Sequence, residues 1–212
     1  LAADNSTVAV KFNEAVYNTN GGSGALQASD FALSISGGTA TLSSATPTSI
    51  SASGNTYTLG IGISGSATGN ELLKVTVNAN SVYDAQGNAA STTQETSSTE
   101  LNKVYLNDVA APVISSTTMA PFNEGVLVTF SETVFATNNT TGILAVSDFS
   151  LAISGGTATL SSSTPSSISG DNGPVITLGV SLSGLANGSE VITVSVVANS
   201  IYDANGKVAS TS

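Results

Sequence analysis

Apolar and polar residues alternate along most of the chain, which is the period expected of half-buried β-strands. The alternation runs through residues 8–12, 31–35, 57–63 and 73–77, and again through residues 126–130, 149–153, 176–182 and 192–196. Turn signals rich in Gly, Asn and Pro separate these runs, and a short helical turn capped by Asp30 is expected just before the second. Six or seven short, evenly spaced strands per hundred residues or so predict an antiparallel β-sandwich.

The chain also repeats itself. Residues 34–44 recur almost letter for letter at residues 152–162, an offset of 118. After one inserted residue near Asp171 the offset becomes 119, so that Asp84 matches Asp203. A repeat of this length is the size of a whole domain and not of a short solenoid unit. The sequence therefore predicts two similar domains in tandem, at residues 1–106 and 107–212.

The register of the repeat leaves each copy incomplete. The first copy lacks a counterpart of residues 104–117, and the second stops before any counterpart of residues 95–106. We expect the first domain to lack its first strand and the second to lack its last, with flanking sequence or a neighbouring molecule supplying the missing edge. The linker is predicted at residues 93–112, where residues 103–106 close one domain and residues 112–114 open the next.

Composition removes several classes of function. Hydrophobic residues make up 40% of the chain, charged residues only 8%, and four Lys face fourteen acids for a net charge of −10. Nucleic acid is therefore not an expected partner, because phosphate binding needs clustered Lys and Arg. Without His or Cys, the chain cannot supply Ser-His or Cys-His nucleophiles or zinc, haem and iron–sulfur ligands of those types. No apolar run approaches the length of a membrane span. A surface of hydroxyls and amides favours an extracellular, wall-associated protein.

Short motifs at matched positions resemble those of bacterial immunoglobulin-like repeats. They are Phe-x-Glu-x-Val near the start of each copy, Asp-Phe in the middle, Tyr-Asp-Ala-x-Gly near the end and Asp108-x-x-Ala-Pro112 at the junction. The resemblance covers essentially the whole chain. It implies two tandem immunoglobulin-like β-sandwiches in a large secreted adhesin or cell-surface protein, with a stalk or extender role outside the cell and often with bound calcium. Lys207 departs from the pattern, since it stands where the first copy has Asn88.

Eight carboxylates recur in matched pairs, and all of them except Glu190 form, together with Asp108, the candidate metal ligands. The pairs are Glu14 with Glu132, Asp30 with Asp148, Glu71 with Glu190, and Asp84 with Asp203. Calcium is the ion that suits them, because it takes carboxylate, amide and carbonyl oxygens and needs no His or Cys. In the topology implied by the resemblance, Glu132, Asp148 and Asp203 gather near Asn107 and Asp108, and Asn70 and Glu71 face them. Glu14, Asp30 and Asp84 would gather in the same way toward a preceding domain.

A structural interpretation of the same residues stays open beside the calcium one. Asp84 and Asp203 open Asp-x-x-Gly turns, in which the carboxylate binds the turn backbone and Gly accepts a positive φ. Asp30 and Asp148 fit as caps. The four Glu fit as solvated strand ends.

Three classes of function remain. The first is a non-enzymatic structural module of an adhesin or surface fibre, whose partners are neighbouring repeats and, in a variant, subunits that exchange edge strands in a filament. The second is a carbohydrate-binding module for host or surface glycans, for which the chain offers five Tyr but no Trp. The third is a glycosidase with paired carboxylates, which needs a deep cleft that two small sandwiches do not suggest.

Overall fold

The structure is a computed structural model that describes residues 1–93, 102–170 and 172–211. Every strand pair in this part of the chain is antiparallel, so the protein is all-β. The chain divides into two compact units, Leu1–Ala110 and Ala111–Ser212, which are called unit 1 and unit 2 below. Residues 94–101 of the predicted linker and residue 171 lie outside the described residues.

The described residues of unit 1 form eight strands. These are β1 (Thr7–Lys11), β2 (Phe31–Ser36), β3 (Thr41–Leu42), β4 (Ile50–Ser53), β5 (Thr56–Gly60), β6 (Ile63–Ser64), β7 (Leu72–Val77) and β8 (Lys103–Tyr105). They pair in the orders β1-β5-β4, β2-β7-β8 and β3-β6. The expected helical turn is present as a 3-10 turn, Ala28–Asp30, which leads into β2.

Unit 2 repeats this arrangement, except that its additional edge strand lies in the other sheet. Its described strands are β9 (Ile114–Met119), β10 (Gly125–Phe130), β11 (Phe149–Ser154), β12 (Thr159–Leu160), β13 (Ile168–Ser169), β14 (Val175–Gly179), β15 (Leu182–Ser183) and β16 (Val191–Val196). They pair in the orders β13-β14-β10-β9, β11-β16 and β12-β15. Two 3-10 turns, Pro121–Asn123 and Val146–Asp148, precede β10 and β11.

Each unit has its own hydrophobic core between its two larger sheets, which makes it sandwich-like. The fully or nearly fully buried side chains in unit 1 include Val8, Phe31, Leu33, Leu59 and Leu73, and those in unit 2 include Val126, Val128, Phe149, Ile176 and Leu178. These are the alternating positions of the predicted strands. Burying each such side chain stabilises a unit by about 1.5–3 kcal/mol relative to leaving it exposed.

One expected strand breaks in two. The alternation at residues 57–63 predicts a single strand, but the structure ends β5 at Gly60 and begins β6 at Ile63. A Cβ at Gly60 would overlap the side-chain hydroxyls of Thr48 and Ser49, so glycine lets these residues approach the end of β5 closely. After the break, β6 leaves β5 and pairs with β3. The same break separates β14 from β15 in unit 2.

The segment after β8 is bound to unit 1, which explains why the unit extends to Ala110 and not to Leu106. The backbone N–H groups of Val109 and Ala110 both donate to the carbonyl of Ala67. Asn107 exchanges hydrogen bonds with Asn5, which is buried: Asn5 Nδ2 donates to the Asn107 carbonyl at 2.8 Å, and the Asn107 N–H donates to Asn5 Oδ1 at 2.8 Å.

The two units differ in which sheet edge is covered. In unit 1, β8 pairs with the outer edge of β7, whereas no described strand pairs with the outer edge of β1. In unit 2, β9 pairs with β10, the counterpart of β1, whereas no described strand pairs with the outer edge of β16, the counterpart of β7. Among the described residues, each unit therefore has one covered edge and one open edge, in opposite sheets.

Candidate functional site

Glu71 is the most enclosed of the recurrent carboxylates, with no exposed surface at all. Its Oε1 accepts the backbone N–H groups of Thr39 and Ala40 at 2.7 and 3.1 Å and the Thr68 hydroxyl at 3.1 Å, while Oε2 accepts the Thr68 N–H at 2.9 Å. Burial raises the pKa of Glu71, but the N–H groups of Ala40, Thr39 and Thr68 outweigh burial and lower the pKa to about 2. The expectation of a solvated strand end is wrong for this residue. Its carboxylate holds two loops together.

Glu190 repeats the arrangement in unit 2. Its Oε1 accepts the N–H groups of Thr157 and Ala158 at 2.8 and 3.0 Å, and its Oε2 accepts those of Asn187 and Gly188 at 3.1 and 3.0 Å. These donors, with Ala158 first, lower the pKa of Glu190 to about 2. Glu190 is half-buried, so water reaches it more easily than it reaches Glu71.

The near-identical Ser-Gly-Gly-Thr-Ala segment of the two copies is explained by these carboxylates. Gly38 has φ +56°, and a Cβ there would overlap the Glu71 carboxylate. Gly156, at φ +59°, stands in the same relation to Glu190. Glycine is required because the loop must turn through the left-handed region while its backbone approaches the carboxylate closely. The strongest repeat in the sequence therefore marks a structural bond between loops.

Asp84 closes the predicted Asp-x-x-Gly turn of unit 1. Its Oδ1 accepts the N–H groups of Gln86 and Asn88 at 2.9 and 2.8 Å, and its Oδ2 accepts Nδ2 of Asn88 at 2.7 Å. Gly87 has φ +87°. The Asn88 side-chain amide, followed by its backbone N–H, lowers the pKa of Asp84. Both oxygens of this carboxylate are occupied by its own turn.

Asp203 forms the same turn in unit 2 but keeps one oxygen without a partner. Its Oδ1 accepts the N–H groups of Asn205 and Lys207 at 2.8 and 2.7 Å. Its Oδ2 is buried and has no hydrogen-bond partner among the described residues. Lys207 replaces Asn88 at the matched position and so removes the amide that satisfies Asp84 Oδ2 in unit 1.

Glu132, also in unit 2, lies beside Asp203. Carboxylate oxygens of the two residues lie within 4.8 Å of each other, and Glu132 is half-buried. Two carboxylates this close, one with a buried unpartnered oxygen, are a donor set that fits a hard cation such as calcium. The counterpart of Glu132 in unit 1, Glu14, is exposed.

Asp30 and Asp148 act within their own turns. Each is the last residue of a 3-10 turn, and its Oδ2 accepts the backbone N–H three residues earlier, at 2.7 Å for Gln27 and 2.8 Å for Ala145. Asp108 belongs to unit 1, where its Oδ1 accepts the N–H of Ala110 at 3.0 Å. The gathering of Asp108 and Asp148 around one calcium ion remains a prediction, as does a metal role for Glu14, Asp30, Glu71 and Asp84.

The two recurrent tyrosines use their hydroxyls inside the fold. The hydroxyl of Tyr83 donates to the carbonyl of Asn80, and that of Tyr202 donates to the carbonyl of Asn199, both at 2.9 Å. Asn80 and Asn199, the residues that accept these hydrogen bonds, both have positive φ. This use of the hydroxyls favours the packing interpretation over a tyrosine platform for sugars at these two positions.

Sequence reasoning did not single out Asn5. Asn5 is 2% exposed and has a backbone φ of +60°. Its side chain binds Asn107, which lies two residues after the end of β8. A signal was present, because Asn5 and Asn123 match at the offset of 118 and both adopt φ near +60°. It was missed because a single Asn is a weak motif in a chain this rich in Asn.

Comparisons of this chain with protein-family models, curated proteins and solved structures returned no match. The helices found in the described residues are single 3-10 turns, and none is long and apolar enough to span a membrane.

Proposed function

We propose that the chain is a pair of tandem immunoglobulin-like repeats with a mechanical role: a non-enzymatic spacer in an adhesin or surface fibre outside the cell. One observation carries the proposal. The closest match between the two copies is the Gly-Gly loop with Glu71 or Glu190, and its hydrogen bonds hold loops to the sandwich. Selection on a shared binding or catalytic centre would instead be expected to preserve side chains aimed at a ligand.

Other features support the same role. Each unit has its own core, as a module that bears load independently requires. A chain with four Lys and no Cys offers few amines to proteases and no thiol to oxidants, which suits exposure outside a cell.

Single-molecule stretching between the two ends of the chain tests the mechanical role. We expect two separate unfolding events, each releasing a contour length of about 35 nm, because roughly a hundred residues of about 3.5 Å unfold at a time. Glu71→Gln should lower the unfolding force of one event only, with the exposed Glu14→Gln as its matched control. A chain that extends gradually, without two force peaks, would contradict the proposal.

We propose further that unit 2 binds calcium through Asp203 and Glu132. The unpartnered Oδ2 of Asp203 is the supporting observation, since a buried carboxylate oxygen without a donor is costly unless a cation neutralises it. When bound, the ion would neutralise these acids and fix the turn at residues 203–207 against the loop that carries Glu132.

Calcium titration of the metal-free chain, followed by its melting temperature, tests this site. A ligand held only by the native state raises stability with its concentration, so calcium should raise the melting temperature and a chelator should lower it again. Asp203→Asn should abolish the shift, whereas the matched Asp84→Asn should keep it. An unchanged melting temperature in calcium, or equal loss in both variants, would rule the site out while leaving the mechanical role intact.

A further inference from the structure

Four asparagines in the chain are followed directly by glycine: Asn20, Asn172, Asn187 and Asn205. In such a pair the asparagine side chain can react with its own backbone, because a glycine N–H is not shielded by a Cβ and can approach closely. Two groups take part: the side-chain amide, which is attacked, and the N–H of the following glycine, which attacks it. The hydrogen bonds around these two groups therefore decide which of the four pairs can react.

The three pairs in unit 2 each have one of these two groups held. The Gly188 N–H donates to Glu190 Oε2 at 3.0 Å, and the Gly206 N–H donates to the carbonyl three residues earlier at 3.3 Å. At the third pair, Nδ2 of Asn172 donates to the carbonyl of Gly142 at 2.7 Å. Each of these bonds must open before the side chain can react, which lowers the reactive fraction of the pair.

The fourth pair, Asn20-Gly21, lies at the tip of a loop in unit 1. The base of this loop is closed by Thr19, whose hydroxyl donates to the Ser23 carbonyl at 2.5 Å. In the described part of the chain, neither the Asn20 side chain nor the Gly21 N–H forms a hydrogen bond. Both residues are exposed, and a Cβ built on Gly21 would meet no atom within 4 Å. The two reacting groups are therefore accessible, with space around them for a ring.

We propose that Asn20 is a self-modifying site, which converts to aspartate and isoaspartate with water as the only co-reactant. The Gly21 nitrogen bonds to Cγ of Asn20, the bond from Cγ to Nδ2 breaks, and the Gly21 proton leaves with the amine as ammonia. Water then opens the cyclic imide. Opening at Cγ gives aspartate, whereas opening at the backbone carbonyl carbon gives isoaspartate, in which the main chain runs through Cβ and Cγ. Either product carries one more negative charge, and isoaspartate also adds a methylene to the backbone.

Conversion loosens the contact between this loop and the Asp84 turn. The Asn20 carbonyl oxygen lies 2.5 Å from the position of a Cβ added at Gly87. On the other side of the tip, a Cβ added at Gly22 would lie 3.1 Å from the carbonyl oxygen of Ala85. Backbone contacts this close leave no room for an extra methylene at residue 20.

The inference goes beyond the mechanical role and the calcium site, because it concerns a covalent change in unit 1 that depends on neither force nor an ion. The modified fraction rises with the age of each molecule, so the Asp84 turn of an old molecule is looser than that of a new one.

Ageing of the folded chain in neutral and mildly alkaline buffer tests the proposal. Peptide mass spectrometry follows each asparagine, since replacing an amide NH2 by OH raises the mass by about 1 Da. We expect Asn20 to convert at least about tenfold faster than Asn187, whose glycine N–H must first lose its bond to a carboxylate. In the urea-unfolded chain the two should convert at similar rates. Equal rates in the folded chain, or an undiminished difference in the unfolded one, would overturn the proposal.

Gly21→Ala is the matched variant that blocks the reaction without disturbing the fold. The added Cβ meets no atom, and Gly21 does not have a positive φ. Because the methyl group hinders the approach of the backbone nitrogen, conversion of Asn20 should fall by at least about tenfold. Conversion of Asn20 at an unchanged rate in this variant would contradict attack by the Gly21 nitrogen.

Amide hydrogen exchange measures the effect of conversion on the Asp84 turn. The N–H groups of Gln86 and Asn88 are bonded to Asp84 Oδ1, so their exchange should quicken in the aged chain. It should stay slow in the equally aged Gly21→Ala variant, and exchange at Lys207, in the matched turn of unit 2, should change in neither chain. Unchanged exchange at Gln86 and Asn88 in a converted chain would overturn the loosening of the turn.

Discussion

Strands β7 and β16 occupy matched positions in the two units, and each pairs with an equivalent strand, β2 or β11. The two strands nevertheless differ in burial. In β7 the residues Leu73 and Val75 are buried, whereas their counterparts in β16, Ile192 and Val194, are half-buried. The opposite difference separates β1 from β10: Val10 is half-buried where Val128 is fully buried. In each case the more buried strand is the one whose outer edge is covered, by β8 or by β9. A core position in these repeats is therefore completed by the adjacent strand as much as by its own side chain.

The largest contrast should come from truncating matched core positions. Leu73→Ala should destabilise unit 1 by about 3 kcal/mol, because it leaves a cavity that a covered sheet cannot close. Ile192→Ala should cost about 1–2 kcal/mol in unit 2, where solvent already reaches the site. Urea unfolding followed by hydrogen exchange in each unit measures both values. Equal losses of stability in the two variants would contradict the link between a covered sheet edge and a more deeply buried core.

The buried loop carboxylate comes next. Glu71→Gln should cost unit 1 about 2–3 kcal/mol, since the amide replaces an acceptor with a donor facing bound N–H groups. Glu190→Gln should cost less, because water can reach that site. Equilibrium unfolding measures the difference, and Glu14→Gln, at an exposed position, is the control. A loss for Glu71→Gln no larger than for the control would show that the loops do not depend on this carboxylate.

The same carboxylates give a defined acid response. Their pKa is lowered to about 2 from an ordinary value of 4.5, so the stability they contribute is complete above about pH 4.5 and is lost as the pH falls toward 2. Melting temperatures should therefore fall across this interval, and the Glu71→Gln variant should show a flatter profile in unit 1. A profile identical to that of the unsubstituted chain would contradict the assignment.

Matched asparagines should respond differently. Asn5→Gly should destabilise unit 1 by about 2 kcal/mol, because it removes the hydrogen bonds that hold Asn107 while glycine keeps the positive φ. Asn123→Gly should leave the stability of unit 2 within about 0.5 kcal/mol, as surface changes usually do. Thermal unfolding of the two variants is sufficient to compare them. A large loss of stability for Asn123→Gly would mean that the Asn123 side chain already holds a segment of the chain, as Asn5 holds Asn107.

The smallest expected effect concerns the two Asp-x-x-Gly turns. Lys207→Asn should give Asp203 Oδ2 the amide partner that Asp84 has, and should stabilise the calcium-free chain by under about 1 kcal/mol. The same substitution should weaken the response to calcium. Melting curves with calcium and with chelator measure both effects. If the variant responds to calcium as strongly as the unsubstituted chain, Asp203 Oδ2 is not the oxygen that calcium binds.

Sequence periodicity was sufficient to predict an all-β fold with antiparallel sheets, because both copies alternate with period 2. It located the strands that carry the core. It did not find the break after Gly60, because β6 pairs there with β3, and periodicity within one segment does not show which strand that segment pairs with.

The candidate site was only partly predictable. The matching of carboxylates selected residues that bind loop backbone, such as Glu71 and Glu190, and the Asp-x-x-Gly turns were confirmed at Asp84 and Asp203. Recurrence alone could not separate a loop bond from a metal ligand, since that depends on which donors surround each oxygen. Glu71 is enclosed by N–H groups that come from a loop some thirty residues away, a contact that no local pattern reveals.

The most direct test of the account is amide hydrogen exchange at the matched edge positions Val75 and Val194 in the unsubstituted chain. We expect slow exchange at Val75, whose N–H is bonded to the carbonyl of Asn102, and exchange at least about tenfold faster at Val194, where no described strand covers the edge. Equal protection at the two positions would contradict this expectation, because the outer edge of β16 would then be as well covered as that of β7.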